Sequence, residues 1–262
     1  MKAKIRLPFI FIISVVLSAC GEHEPIQINQ WRINTGKNFV QPIKVLHISD
    51  IHYKDDGSGP AVIAQLAQIV KITEPNIIAI TGDLTGEGAI TTDRIRPSII
   101  DGLESLSEND QTYVVLGNHD SEEWFEALSA SSLRLIEGKT EILTAEGHSL
   151  CIRGLQDSFS RGYSHVPFSH NCNGFKLTLT HDPYAIELEA EEGLYLAGHT
   201  HCGQVRLPVI GALWIPTSAS EEYHCGYGSE GEKVWIVSSG VGTTFVDVRM
   251  GTAASVELVE LY

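Results

Sequence analysis

The sequence predicts an α/β domain in which short buried strands alternate with amphipathic helices. The strands are predicted from runs rich in Val, Ile and Leu, the composition of strands buried on both faces. These runs lie near residues 43–49, 77–81, 112–117, 149–154, 175–180, 194–198, 234–239 and 255–260. Helices are predicted between them over residues 60–73, 93–106, 121–128 and 183–190. About 220 residues follow the N-terminal segments, which is enough for one such domain with a substantial core.

Segment 60–73 carries the clearest helical pattern. Pro60 falls in the first turn, and Val62, Leu66 and Ile69 recur at helical spacing. We therefore expect an amphipathic helix that covers one face of a sheet. By contrast, segment 155–174 is polar and rich in glycine and proline, which predicts a long loop.

The N-terminus has the pattern of an export signal. Three basic residues in the first six positions precede the apolar stretch 7–19, which is short for a membrane-spanning helix and has the order of a secretory signal. We therefore assign residues 1–19 to a signal peptide. An uncleaved anchor helix is the alternative.

Cys20 ends this signal in a sequence, Leu17-Ser18-Ala19-Cys20, that resembles a bacterial lipoprotein cleavage box. Lipidation of Cys20 through two or more acyl chains would anchor the protein stably on a membrane. The sequence thus predicts an exported protein, lipid-anchored at the cell envelope, with a lipidated cysteine and tether over residues 20–41 and one domain over 42–262.

The formal net charge of −15 limits the partners of the domain. An acidic surface repels nucleic acids and anionic lipid headgroups, which argues against a nucleic-acid scaffold role through a basic patch. Two bound divalent ions would reverse the sign of the potential locally and could still attract a phosphate.

Four further cysteines, Cys151, Cys172, Cys202 and Cys225, follow in a chain predicted to enter an oxidising compartment. They allow three pairings, and spacing does not choose among them. A structural or disulfide role is favoured over a redox or zinc-ribbon motif, because no C-x-x-C spacing occurs. Cys202 directly follows His201, so contact with a metal is the alternative for that residue.

Several short motifs place acids, histidines and an asparagine at the ends of the predicted strands. They are Asp50-Ile51-His52, Gly82-Asp83, Gly117-Asn118-His119-Asp120, His181-Asp182 and Gly198-His199-Thr200-His201. Because loops at strand ends bring distant segments together, we expect these residues to form one metal centre.

The chemistry of these residues predicts divalent transition metals. Residues i and i+2 of an extended segment point to the same side, so Asp50 with His52, and His199 with His201, can each supply two ligands. Carboxylate, imidazole and amide oxygen together suit manganese, iron, zinc or similar ions. Asp83 is the candidate to bridge two such ions.

These motifs together resemble the signature of the calcineurin-like metallophosphoesterases, from about residue 43 to 201. Segments 203–208 and 239–243 further resemble the exported bacterial branch that includes the YkuE and YaeI phosphoesterases. That branch usually has glycine where this chain has Cys202. This departure leaves the ligands untouched, and we expect it to change the loop conformation or the metal preference beside His201.

The resemblance implies a four-layer α/β/β/α sandwich of two mixed sheets flanked by helices. It also implies two divalent metal ions, one held by Asp50, His52, Asp83 and His201 and the other by Asp83, Asn118, His181 and His199. In the family pattern His119 sits over the substrate phosphate and Asp120 orients its ring.

The function implied is hydrolysis of a phosphomonoester or phosphodiester by attack of a metal-bound hydroxide on phosphorus. A non-catalytic binding scaffold with the same fold is the alternative, and a metal-storage or redox role for the cysteines has no support from their spacing. Arg153 and Arg161 are expected to be solvated, with contact to the substrate phosphate as the alternative.

Overall fold

The computed structural model describes residues 25–37, 39, 41–54, 56–86, 92–106, 111–145 and 147–262. The predicted signal peptide and Cys20 lie outside the described residues. Within the described part of the chain, no helix has both the length and the apolar character that crossing a bilayer requires.

The first sheet is mixed and has six strands in the order β1-β14-β2-β3-β4-β5. All neighbours are parallel except β14 and β2, which are antiparallel. The strands are β1 (Gln27–Ile33), β2 (Ile43–Ile48), β3 (Ile77–Thr81), β4 (Thr112–Val115), β5 (Arg134–Leu135) and β14 (Ser255–Leu261).

The second sheet is also mixed, with the order β12-β13-β9-β8-β7-β6. Its four central strands are parallel, and the strand at each edge is antiparallel to its neighbour. The strands are β6 (Thr140–Ala145), β7 (His148–Gly154), β8 (Phe175–Leu179), β9 (Gly193–Ala197), β12 (Gly226–Glu230) and β13 (Lys233–Val237). A separate hairpin is formed by β10 (Arg206–Leu207) and β11 (Gly211–Ala212).

The side-chain alternation along the strands separates the core into layers. Val45 of β2 joins the core between the two sheets, whereas its neighbour Leu46 joins the core under the helices of the first sheet. Tyr195 and Trp235 lie in a third cluster on the outer face of the second sheet. Two mixed sheets packed face to face with helices outside confirm the predicted α/β/β/α arrangement.

The helices lie close to their predicted positions. They are α1 (Ser58–Thr73), α2 (Thr92–Glu104), α3 (Glu123–Ser129), α4 (Ser158–Arg161) and α5 (Tyr184–Leu188). Helix α1 buries Leu66 and Ile69 against the first sheet, as its spacing predicts. The exception is α4, a single turn inside the segment predicted to be a loop; Asp157 stabilises it by accepting hydrogen bonds from the backbone of Phe159 and Ser160.

The prediction of an irregular tether up to residue 41 is wrong for Gln27–Ile33. These residues form β1, which pairs in parallel with β14 along its whole length. The sequence of this strand shows no sustained hydrophobic period, because some of its side chains are held by a buried carboxylate instead of an apolar core. Trp31 and Asn29 both donate hydrogen bonds to Glu257 of β14. The folded unit therefore begins before residue 42.

Carboxyl ends of parallel strands from both sheets meet at one edge of the sandwich. The loops that follow β2, β3 and β4 in the first sheet, and β8 and β9 in the second, all start there. Ligand sites in open α/β sheets form at such an edge. All the predicted site residues lie on these five loops.

Candidate metal centre

The five loops bring the predicted ligands together at the edge of the sandwich. Six of them are buried side chains in two groups, in each of which the potential ligand atoms lie within 4.8 Å of one another. The first group is Asp50, His52 and His201; the second group is Asp83, His181 and His199. Asn118, the seventh, lies beside the second group.

In the first group the ligand atoms face a common point. Nε2 of His52 lies 3.1 Å from Nε2 of His201. Oδ1 of Asp50 lies 3.4 Å from Nε2 of His201 and 3.9 Å from Nε2 of His52. These residues come from loops in both sheets, so the group forms only when the sheets pack.

The second group is built around Nε2 of His181. That atom lies 3.2 Å from Oδ2 of Asp83, 3.2 Å from Nδ1 of His199 and 3.1 Å from Oδ1 of Asn118. The other ring nitrogen of His181, Nδ1, lies 2.7 Å from the carbonyl oxygen of Thr81. A proton on Nδ1 leaves Nε2 with its lone pair toward the group.

Asp83 connects the two groups. Its Oδ2 is 3.2 Å from Nε2 of His181 in the second group and 3.5 Å from Nε2 of His52 in the first. Its Oδ1 accepts a hydrogen bond from the backbone N–H of His119. The carboxylate therefore lies where the predicted bridging ligand must lie.

The spacing of the ligand atoms fits divalent metal ions. Bonds of about 2.0–2.2 Å at angles of 90–110° separate adjacent ligand atoms by roughly 3–3.5 Å. Most of the distances within the two groups fall in this range. Two imidazole nitrogens about 3 Å apart repel each other when both present lone pairs, and a cation between them removes that repulsion. The donor set therefore suits a pair of divalent ions.

Burial keeps most of these imidazoles neutral, as metal ligands must be. Desolvation lowers the pKa of His52 to about 3, and burial together with the nearby Arg249 lowers the pKa of His201 well below its ordinary value. Burial and the neighbouring His181 lower the pKa of His199.

Asp83 and His181 behave differently from the other ligands. Burial alone would lower the pKa of His181, but the Asp83 carboxylate outweighs it and raises that pKa well above the ordinary value. Burial would likewise raise the pKa of Asp83, but His181 holds it well below the usual range. The two form a buried ion pair in the absence of metal.

The backbone of the ligand loops is unusual. Five of the seven predicted ligands adopt the left-handed region, with φ of 51° at Asp50, 43° at His52, 53° at Asp83, 66° at His199 and 48° at His201. Such conformations are uncommon for non-glycine residues and concentrate at functional sites. The strain turns each side chain away from its strand and into the centre.

Gly117 shows how closely the loops approach. A Cβ atom at this position would collide with the carboxylate and backbone nitrogen of Asp83. Only glycine lets the loop after β4 lie against the bridging carboxylate.

A chain of buried donors outside the ligands orients Asp50. Ser49 Oγ donates to Asp50 Oδ2 at 2.5 Å, and Thr81 Oγ1 donates to Ser49 Oγ at 2.8 Å. His47 Nε2 lies 2.8 Å from Thr81 Oγ1; since that hydroxyl already donates to Ser49, His47 must be the donor. The backbone N–H of His199 lies 3.1 Å from Oδ1 and 3.0 Å from Oδ2, so it is shared between the two oxygens. The hydroxyl of Ser49 bonds to Oδ2, and Oδ1 is the oxygen that faces His52 and His201.

Sequence reasoning missed this chain, which we call the Asp50 relay (His47, Thr81 and Ser49). Ser49 adjoins Asp50, and Thr81 immediately precedes Gly82-Asp83, so both lie at strand ends beside the motifs. His47 matches no motif in the sequence, and only the structure places it in contact with Thr81. Burial lowers the pKa of His47 to about 3.

His119 lies beside the ligands and is more exposed than they are. Its side chain is 15% exposed, against 0–3% for His52, His181 and His201. Its Nε2 lies 4.0 Å from Oδ2 of Asp83, and its ring packs edge-on against that of His52. The exposed edge can reach a molecule that enters the centre.

Asp120 supports the loop that carries His119. Its Oδ1 accepts the backbone N–H of Leu84 and its Oδ2 accepts the backbone N–H of Gly117. Burial and the charge of Asp83 raise the pKa of Asp120 to about 7. Its predicted role in orienting the His119 ring stays a prediction, since these bonds go to backbone groups.

The two arginines considered as phosphate ligands are both held by carboxylates. Arg161 pairs with Glu137 at 2.6 Å on the rim of the site. Arg153 was expected to be solvated, and this is wrong: it is fully buried and pairs with Glu189 at 3.2 Å. Its guanidinium also bonds to Thr178, Tyr195 and the backbone of residue 166, because a charge buried this deeply must be satisfied on all sides.

The cysteines form two disulfides, Cys151–Cys172 and Cys202–Cys225. The structural role predicted for them is confirmed. The sulfur of Cys202 is bound to Cys225 and is not a metal ligand, so the alternative considered for that residue falls away.

Comparison with known proteins gives the same picture. The sequence profile described as Calcineurin-like phosphoesterase matches residues 43–203. Phosphodiesterase YaeI of Escherichia coli is 24% identical over 234 residues, which cover 86% of this chain and 84% of that protein. Metallophosphoesterase YkoQ of Bacillus subtilis is 29% identical over 236 residues, 82% of each chain. Among solved structures, the sulfate thiohydrolase SoxB of Thermus thermophilus shares the fold, with a TM-score of 0.50 at 12% identity over 84% of this chain and 56% of that one.

Proposed function

Because the chain belongs to the calcineurin-like phosphoesterase family and is a metal-dependent phosphoric ester hydrolase, we propose that it cleaves phosphomonoesters or phosphodiesters at the cell envelope. The observation that carries this proposal is the convergence of all seven predicted ligands on two adjoining groups, with His119 at their exposed edge. The relative YaeI, whose name describes it as a phosphodiesterase, supports the same class of substrate.

Two divalent ions supply the charge for this reaction: when bound, they lower the pKa of water and neutralise phosphate oxygens. Asp50, His52 and His201 would hold one ion, and His181, His199 and Asn118 the other, with Asp83 between them. The burial of these side chains excludes water from all but the open side, so a phosphate reaches the centre from one direction.

His119 supplies the proton in our proposal. Its Nε2 faces the centre beside Asp83 and its ring is partly exposed, so it can touch a bound phosphoester. It donates a proton through Nε2 to the departing oxygen, and Asp120 positions the loop on which it lies.

A non-catalytic scaffold is less well supported. A binding module has no need to retain a partly exposed histidine beside a complete set of ligands. The strained backbone at five of the ligands also indicates a site maintained for chemistry rather than for surface display.

The place of action is part of the proposal. The order of basic residues, apolar stretch and Cys20 at the N-terminus supports export and lipid anchoring at the envelope. Incorporation of labelled fatty acid into the full chain, lost in Cys20→Ala, tests this; equal labelling of both would overturn it.

The function itself is tested with metal-reconstituted protein on a panel of monoesters and diesters. His119→Ala should keep both ions and lower turnover by roughly 10²- to 10⁴-fold, the effect of one acid–base group. The loss should be larger for alkyl esters, whose leaving group needs a proton, than for activated aryl esters.

His170→Ala is the matched control, since His170 is exposed and lies between α4 and β8, outside the five loops that carry the predicted ligands. If no ester is cleaved in any metal, the scaffold alternative replaces the proposal. If His119→Ala releases metal, His119 is a ligand.

A further inference from the structure

A cluster of exposed apolar side chains lies beside the metal centre. It is formed by the β10–β11 hairpin, the residues that follow it, and the loop 243–249. Its members, here called the apolar face, are Val209, Ile210, Leu213, Trp214, Phe245 and Val246, and each is between 53% and 108% exposed. Large apolar side chains grouped on a surface mark a site that binds an apolar partner.

The apolar face is built rigidly. Gln204 donates from its side-chain nitrogen to the carbonyl oxygens of residues 244, 246 and 248, and its Oε1 accepts the N–H of Thr244. The backbone N–H of Arg206 donates to Met250, and that of Met250 donates to Gln204, which joins the hairpin to the same loop. The loop therefore cannot turn its apolar side chains inward without losing buried hydrogen bonds.

The backbone of two members is strained to hold their side chains outward. Val209, a β-branched residue at the hairpin tip, has φ of 71°, and Phe245 has φ of 58°. Such conformations are costly for these residue types and point to a function. The Phe245 ring packs edge-on against Trp214, with centroids 5.8 Å apart.

The apolar face is continuous with the metal centre. A cavity of about 180 Å³ is lined by Trp214, Phe245 and Val246 at one side and by the ligand His201 at the other. On the opposite flank of the centre, Phe159 is 52% exposed and packs on the ring of His199. A phosphate at the ions therefore has apolar surface on both sides.

The position of the N-terminus indicates what covers this face. The described chain begins at residue 25, and Ile26 lines a cavity of about 420 Å³ together with the ligand His52 and Val248 of the apolar loop. Four residues lie between Cys20 and Pro25, and the five steps from one to the other span at most about 18 Å. An anchor at Cys20 therefore holds the membrane close to the metal centre and the apolar face.

We propose that the apolar face lies on the lipid layer and that the substrate is a membrane amphiphile, whose acyl or alkyl chain contacts this face while its phosphoester reaches the ions. The proposal rests on the proposed function and names its substrate class. A second copy of the chain on this face would cover the entrance beside His201, and two chains of net charge −15 repel each other.

The first experiment does not depend on activity. Full-length protein is mixed with phosphatidylcholine vesicles whose acyl chains carry bromine, which quenches tryptophan emission on contact. We expect strong quenching that Trp214→Phe removes for the most part. Trp124 and Trp235 are buried, and Trp31 is half-buried, stacked on Tyr227 and bonded to Glu257. Unchanged emission would overturn the proposal. If neither brominated lipid nor aqueous acrylamide quenches the emission of Trp214, the apolar face is covered by a second copy of the chain instead of lipid.

The second experiment uses alkyl phosphates and alkyl 4-nitrophenyl phosphodiesters, from methyl to decyl, below their micelle concentrations. Full burial gives about 4-fold per methylene, so we expect kcat/KM to rise at least about 10-fold along the series. Phe245→Ser should flatten this rise, measured as the ratio of kcat/KM for the decyl ester to that for the methyl ester. Ile72→Ser is the matched control, because Ile72 is 55% exposed on α1.

The outcomes separate the two proposals. If all esters from methyl to decyl are cleaved with the same kcat/KM, the proposed function stands and the membrane-amphiphile substrate is overturned. No cleavage of any ester would overturn the proposed function, and the bromine experiment would still report whether the face touches lipid. If Phe245→Ser and Ile72→Ser lose the chain-length dependence of kcat/KM equally, this would also count against a role for the apolar face.

Discussion

The metal centre and the site around Arg153 are both buried clusters of charged groups, and they satisfy their charges in opposite ways. Arg153 is surrounded by acceptors: Glu189, Tyr195, Thr178 and a backbone carbonyl. In the metal centre, imidazole nitrogens and carboxylate oxygens face one another at about 3–4 Å. In the first cluster the charges and hydrogen-bond donors are all satisfied by protein groups. In the second, lone pairs and negative charges face one another, and bound cations would remove their repulsion.

The backbone shows the same difference. Left-handed residues gather at the predicted metal ligands, whereas Arg153 lies on the regular strand β7. Backbone strain is present where it orients predicted metal ligands, and it is absent where an ion pair has only a structural role. Buried charge by itself is therefore a poor sign of function, and unbalanced ligand atoms on strained loops are a better one.

Asp83→Asn should break the metal centre most severely. The amide keeps the shape but loses the charge that attracts both ions, so we expect loss of at least one ion and a fall in turnover of more than about 10³-fold, beyond the 10–100-fold typical of residues outside the ligand shell. Elemental analysis and turnover measure this, with exposed Asp101→Asn as control. Wild-type metal content in the variant would remove the bridging assignment.

Arg153→Leu should break the other cluster without touching chemistry. It removes the charge that balances Glu189 and leaves that carboxylate buried with Tyr163 and His165 as its remaining side-chain partners, so the free energy of unfolding should fall by about 3–5 kcal/mol. Turnover of the remaining folded protein should stay near wild type. Chemical denaturation and activity at low temperature measure the two effects. The double variant Arg153→Leu, Glu189→Leu should recover most of the stability; if it does not, the ion pair is not the cause.

Thr81→Val should loosen the metal centre without removing a ligand. It interrupts the Asp50 relay between His47 and Ser49, and residues that orient metal ligands typically contribute about 10–100-fold in affinity. We expect a loss of that size for one ion, measured by competition with a chelator. Thr112→Val is the control, since Thr112 is buried on the next strand and its hydroxyl has no hydrogen-bond partner among the described residues. Equal losses in both variants would indicate a packing effect.

The smallest expected effect is the pH dependence that His47 contributes to stability. Burial lowers the pKa of His47 from 6.5 to about 3, so below pH 6.5 the unfolded chain binds a proton that the native protein does not. Stability is therefore lost as pH falls from 6.5 toward 3. Between pH 6.5 and 5.5 the loss from this group is about 1 kcal/mol. Denaturation of metal-free wild type and His47→Gln at the two pH values should differ by that amount, and parallel curves would contradict it.

Much of the metal centre was determined by sequence alone. The motifs from Asp50 to His201 predicted all seven ligands and the edge of the sandwich on which they lie, because short-range rules govern both features. Apolar runs mark buried strands, and polar residues directly after parallel strands are brought to one edge whatever the rest of the fold does. The eight predicted strands and four longer helices are confirmed for the same reason.

Only the tertiary structure decided the contacts between distant segments. It chose the pairs Cys151–Cys172 and Cys202–Cys225 among three possibilities, and it added β1 to the first sheet through Glu257, 226 residues from Trp31. It also buried Arg153 against Glu189 and placed His47 in the Asp50 relay. None of these contacts follows from a local sequence pattern. A polar residue is predicted from sequence to be exposed to solvent, and only the tertiary structure shows the distant partner that allows it to be buried.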